Sequence, residues 1–160
     1  MTPPQKPAIA ATEIPGRGIS NYPKPFSDRV KGRYKIPLGD YFDLTKFGIN
    51  QTSLAPGSQS ALLHRHRGQD ELIYILVGHP TLVTELGEQI LAPGMVCGFK
   101  ADNGIAHMLV NRTDETVIYL EIGDRSPGDQ VTFPNDDLVA VLVEGKWQFE
   151  QRDGTPYPAA

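Results

Sequence analysis

The seven residues Glu71-Leu-Ile-Tyr-Ile-Leu-Val77 are almost wholly apolar on both faces of any strand they form. Successive side chains of an extended chain point to opposite sides, so Glu71, Ile73, Ile75 and Val77 share one face and Leu72, Tyr74 and Leu76 the other. Such a strand calls for burial on both sides. The interior of a small barrel covers only one of them. The other needs a second sheet, an arm of the chain or another subunit, and a homodimer is the natural expectation.

The segments around this strand are short and closely punctuated. Residues 41–44 and 47–54 read as strands that end at Ala55-Pro56-Gly57, and a further strand is expected over 60–66. Gly78-His79-Pro80, Ala92-Pro93-Gly94 and Glu144-Gly145 mark turns between later strands. Almost nothing shows the 3.6-residue period or the caps of a helix. Many short strands at close spacing point to an all-β barrel or sandwich.

At 160 residues the chain is long enough for one domain with a proper core and too short for two. Residues 1–25 hold six prolines and little apolar periodicity, so they read as an extended N-terminal arm, with the domain proper over 26–160. The last residues, through Pro156-Tyr157-Pro158, read as a loose tail. A formal net charge of -4 and a pI near 5.5 argue against nucleic acid or an anionic membrane as partner. No apolar run approaches the ~20 residues of a membrane span, and the N-terminus lacks the regions of a signal peptide. The single cysteine, Cys97, excludes an intrachain disulfide and fits a reducing, cytoplasmic setting. Arg29, Lys31, Arg33 and Lys35 alternate along the chain, which predicts an edge strand protected by charge.

His64 and His66 are two apart and project to one face of a strand; Glu71 follows after a loop, at the start of the next. Two imidazoles and a carboxylate on adjacent strands can converge on one point, as a first-row metal ion needs. With no thiolate nearby, a closed structural zinc site is disfavoured. Cys97, in Met-Val-Cys-Gly-Phe, reads as a buried inert thiol.

His64-x-His66-x4-Glu71-x6-Gly78 resembles the first motif of the cupins, and Gly104-x2-His107-x3-Asn111 the end of their second. The resemblance covers residues 46–122. It implies a double-stranded β-helix, or jelly-roll barrel, holding one divalent transition metal ion on His64, His66, Glu71 and His107. Zinc, iron, manganese and nickel all suit such ligands. Two departures stand out. Six residues rather than five separate Gly57 from His64, and Lys100-x3-Gly104 replaces a tighter Pro-x-Gly.

Alternation and motif place Phe99, Lys100, Tyr119 and Arg67 as candidate substrate-binding residues, with Lys100 or Arg67 available to a phosphate or carboxylate. Gln69 and Asn111 are candidate amides behind the histidines. Asp70 reads as an exposed loop carboxylate, and no general base is evident. The resemblance implies a small-molecule enzyme, with a sugar or sugar-phosphate isomerase slightly ahead. An Fe(II)-dependent dioxygenase and a non-catalytic ligand-binding module remain the alternatives, because function resides in the site rather than the fold.

Overall fold

The computed structural model describes residues 6–158; the first five residues of the expected arm and the last two of the expected domain lie outside it. Twelve strands and one helical turn follow in order: β1 (Arg33–Ile36), α1 (Leu38–Tyr41), β2 (Phe47–Leu54), β3 (Arg65–His66), β4 (Glu71–Val77), β5 (Thr81–Thr84), β6 (Gly87–Ile90), β7 (Val96–Phe99), β8 (His107–Val110), β9 (Val117–Asp124), β10 (Gln130–Thr132), β11 (Val139–Val143) and β12 (Lys146–Glu150). All the strand pairs are antiparallel.

One sheet runs β1-β2-β9-β4-β7. Facing it are two smaller sheets, β12-β11-β10-β3 and β6-β5-β8. Isolated bridges Gln59↔Val110 and His64↔His107 join these two into one curved wall. The result is a jelly-roll barrel whose interior takes alternate residues from most strands, β6 lying outside with all four residues exposed.

Two apolar clusters fill it. Leu54, Ile75, Leu91, Leu109, Val117 and Tyr119 pack toward one end, with Ile73 among them. Phe26, Leu62, Val131, Phe133, Leu138 and Ala140 pack along β10 and β11. His64 sits between Phe133 of the second cluster and His107, with ring centroids 6.2 Å and 4.6 Å away.

Several expectations are corrected. Residues 41–44 are no strand: the amide of Tyr41 donates to Pro37 O and that of Phe42 to Gly39 O, closing α1 and its turn. The stretch 60–66 contributes only Arg65–His66 to a ladder, because Leu62 and Leu63 are both buried and the chain must bend to bury them. Arg29 lies in a 3-10 turn, Phe26–Val30, rather than on a strand. β1 is an edge strand, yet Arg33 and Lys35 turn inward. Arg33 Nη1 donates to Ser60 O at 2.5 Å, and Lys35 Nζ lies 2.7 Å from Glu121 Oε1. Their charge is spent in the interior, while paired backbone bonds between Arg17 and Lys35 cover the strand's free edge.

The expected loose tail is held too. Tyr157 donates its amide to Phe149 O and packs edge-on against Phe26. Residues of the arm reach the same cluster, where Tyr22 packs edge-on against Phe133 and Phe149. Burial there pushes the Tyr22 phenol up to about 12.

β4 keeps Ile73 and Ile75 in the core. Its other face remains partly open in the single chain, with Leu72 41%, Tyr74 39% and Leu76 37% exposed. The strand ends at Gly78, whose φ of 84° favours glycine. A Cβ there would meet Val117 Cγ2 at 2.9 Å. Among the described residues no helix is long and apolar enough to cross a membrane.

Candidate metal centre and cavity

β4, β8 and the chain entering β3 bring His64, His66 and Glu71 together inside the barrel, with His107 against Glu71. The antiparallel bridge between His64 and His107 fixes two of them, with backbone bonds of 2.8 and 3.2 Å. His66 follows on the same face of the chain as His64, and β4 opens on Glu71. One oxygen of that carboxylate, Oε2, lies 3.1 Å from His107 Nε2, 3.5 Å from His66 Nε2 and 3.8 Å from His64 Nε2. His64, His66 and Glu71 offer ligand atoms within 4.8 Å of one another.

The far side of each ring decides what faces the centre. His64 Nδ1 lies 2.8 Å from Leu62 O, which can only accept, so Nδ1 carries the proton. His66 Nδ1 lies 2.6 Å from Asp129 Oδ2, another acceptor. When neutral, both rings turn an Nε2 lone pair toward a carboxylate oxygen that also has only lone pairs. A cation or extra protons must sit among them. Ligands held at ~2.0–2.2 Å from a first-row ion stand about 3–3.5 Å from one another, close to the separations found. The donor set fits a divalent ion without thiolate.

Without an ion, protons on the imidazoles take that place. Burial would raise Glu71, but hydrogen bonding from His107 and His64 outweighs it and holds the carboxyl well below its ordinary value. Burial lowers His107. In His66 burial acts the same way, yet the bond to Asp129 and the charges of Glu71 and Asp129 reverse it and raise the imidazole. Phe99 lies flat on His107, ring centroids 3.5 Å apart and planes 4° apart, and restricts its rotation.

The cluster lines one wall of a cavity of about 940 Å³. Tyr119, Phe133 and Trp147 form apolar walls. Arg17, Arg33, Lys35, Arg125 and Lys146 bring positive charge, and Asp40, Asp70, Glu121 and Asp124 bring negative. Arg125 pairs with Asp40. Among the described residues neither Arg17 nor Lys146 has a carboxylate partner within 4.0 Å.

Of the four candidate substrate-binding residues, Tyr119 lines this cavity and the other three do not. Phe99 is turned to His107 instead. Arg67 and Lys100 are exposed, the former 3.5 Å from Gln130 Oε1 and the latter accepting a turn bond from the Asn103 amide. The expanded loop after Phe99 carries them apart: Asp102 and Gly104 take left-handed φ values of 58° and 77°, and Asp70 Oδ1 accepts the Ala101 amide at 2.6 Å. Asp70 therefore pins that loop.

The two candidate amides bond elsewhere. Gln69 Nε2 donates to Ser126 O, and Asn111 Nδ2 to Leu54 O and Glu115 O. The residue actually behind His66 is Asp129, 1% exposed, whose Oδ1 also accepts the Gly68 amide at 2.7 Å. Nothing in Ser126-Pro127-Gly128-Asp129 distinguishes it from an ordinary turn. Glu121 was legible: it alternates with Tyr119 along β9 and must share its inward face.

Residues 50–123 match the family model described as the cupin domain. Over nearly its whole length the chain is similar to a solved structure from Silicibacter pomeroyi, described as a sugar phosphate isomerase from a cupin superfamily. The two share 33% identity and a TM-score of 0.90, covering 96% of this chain and 98% of that one. The chain belongs to the cupin superfamily. This cupin is also similar to a candidate sugar phosphate isomerase of Acidithiobacillus ferrooxidans, at 30% identity and TM-score 0.70 over 80% and 81% of the two chains. It shares the fold of the polyketide cyclase RemF from Streptomyces resistomycificus, at 20% identity and TM-score 0.61 over 73% and 78%. No curated protein matches it.

Proposed function

We propose that this cupin is a metal-dependent sugar or sugar-phosphate isomerase, with one divalent transition metal ion on His64, His66, Glu71 and His107. The observation that carries the reading is the cavity itself. A three-imidazole, one-carboxylate centre opens into a space that also holds further carboxylates and the cations Arg17 and Lys146, which have no carboxylate partner among the described residues. A phosphate suits the cations and a polyol suits the carboxylates. Similarity along the whole chain to a structure carrying that description supports the same choice.

A divalent ion at such a centre supplies polarisation of a carbonyl and its neighbouring hydroxyl, which acidifies the carbon-bound hydrogen between them. The chain does the rest. Asp129 and Leu62 orient the imidazoles, Trp147 and Phe133 exclude water on one side, and Arg17 and Lys146 hold the anionic end of the ligand. Arg67 and Lys100 stay outside this assignment. The homodimer belongs to the same proposal, formed through the open face of β4, as does residence in the cytoplasm.

The test is conversion of aldose monophosphates to ketose monophosphates by the metal-loaded protein. Turnover abolished by a chelator and restored by one metal supports the reading. Iron-dependent oxygen uptake in place of isomerisation would put a dioxygenase ahead.

A further inference from the structure

Glu121 faces the cavity beside the metal-ligand cluster without belonging to it. In the β4–β9 ladder Glu71 lies opposite Gly123 and Ile73 opposite Glu121. Glu121 is thus the diagonal neighbour of Glu71 on the inward face, with Cα atoms about 7–8 Å apart. Gly123 and its partner Gly48 add no side chain of their own beside Glu71 and both line the cavity, with the Arg125 guanidinium lying over Gly48. Both carboxylates face the same cavity of about 940 Å³.

The two oxygens of Glu121 differ. Oε1 lies 2.7 Å from Lys35 Nζ and 3.4 Å from Asn50 Nδ2. Among the described residues Oε2 has no partner. Next inward along the strand, Tyr119 is 0% exposed, lines the same cavity and stands opposite Thr52 in the β2–β9 ladder. The two buried hydroxyls are neighbours, and among the described residues neither makes a well-formed hydrogen bond, which leaves the phenol bonding capacity for a ligand atom. Glu121 Oε2 and Tyr119 therefore lie on one inward face of one strand.

Resting on the isomerase reading, we propose that Glu121 is the proton-transferring carboxylate of this cavity, positioned by Lys35 and Asn50, with Tyr119 binding a substrate oxygen. Glu121 Oε2 takes the hydrogen from the carbon next to the aldose carbonyl. The C–H pair becomes the new C=C bond, and the carbonyl pair moves onto its oxygen, giving an enediolate. The proton of the neighbouring hydroxyl passes to that oxygen, the other oxygen becomes the ketone as its pair re-forms C=O, and Glu121 returns its proton to the former carbonyl carbon as the C=C pair moves there. Atoms and electrons balance with no oxidant or reductant.

The experiment incubates the protein, with the metal it carries, in deuterium oxide with the monophosphates of glyceraldehyde, ribose and glucose. Deuterium at the carbon next to the carbonyl is read by NMR, affinity by calorimetry and metal by elemental analysis. The wild type is expected to incorporate label. Glu121→Gln should keep its metal and its affinity while exchange falls by about 10²–10⁴-fold. Glu121→Asp preserves the charge facing Lys35 but retracts the carboxylate, and should lose about 10²-fold. Exchange at the wild-type rate in Glu121→Gln overturns the assignment and leaves the isomerase reading standing. If that variant fails to fold or to keep metal, Glu121→Asp decides, and an unchanged rate overturns the assignment. A wild type that exchanges none of the three overturns the reading, and the role of Glu121 with it.

Discussion

His66 and Asp129 meet 63 residues apart in the chain, Nδ1 to Oδ2 at 2.6 Å, with the carboxylate almost fully buried. That bond fixes which nitrogen of His66 carries the proton and turns the other toward Glu71. Asp129→Asn replaces a pure acceptor by an amide that can also present a donor to Nδ1. Partners of this kind typically change metal affinity by about 10–100-fold. Chelator competition should show a loss of that size, with far-ultraviolet circular dichroism unchanged.

Asn111 has a different job from the one its place in the motif implied. Its amide closes the turn between β8 and β9 by bonding Leu54 O and Glu115 O, and its Oδ1 accepts from Thr113. Asn111→Ala leaves buried carbonyls unsatisfied, which costs about 1–3 kcal/mol. Urea denaturation should register that loss. Metal stoichiometry should stay the same.

Burial, aided by the charge of Glu71, pushes the Cys97 thiol up to about 11. The thiolate is the reactive form, so below that value its share falls tenfold per pH unit. An aromatic disulfide reagent should react slowly with the native protein at pH 8. The rate should climb with pH and jump on unfolding.

The open face of β4, with Leu72, Tyr74 and Leu76, is continuous with Leu120 and Ile122 of the adjacent β9. Exposed apolar sheet faces of this kind mark interaction surfaces. Light scattering should give twice the chain mass of 17.6 kDa. Tyr74→Glu should give a monomer at micromolar concentration.

The barrel and the meeting of His64, His66, Glu71 and His107 were readable because both rest on local pattern. Alternation along β4 fixes that Glu71 and Ile73 face in, and the spacing of His64 and His66 fixes a shared side. Position across the barrel was not readable. Asp129 acts through a contact far along the chain. Arg33 and Lys35 look like solvent-facing charges until Glu121 and Ser60 O are seen beneath them. Arg67 and Lys100 looked close to the mouth because the course of the loop at Asp102 and Gly104 depends on Asp70, another long-range partner. Alternation alone does place Glu121 on the inward face beside Tyr119. What it lacks is the lysine that makes a buried carboxylate tolerable there.

One metal ion is assigned to four side chains, those of His64 and His66 at β3, Glu71 on β4 and His107 on β8. Elemental analysis of untagged protein, purified without chelators, tests that assignment directly when His107→Ala is measured alongside. The account predicts one divalent transition metal per chain in the wild type and loss of that metal from a variant that remains folded. Equal metal in both proteins, or none in the wild type even after reconstitution, would contradict it.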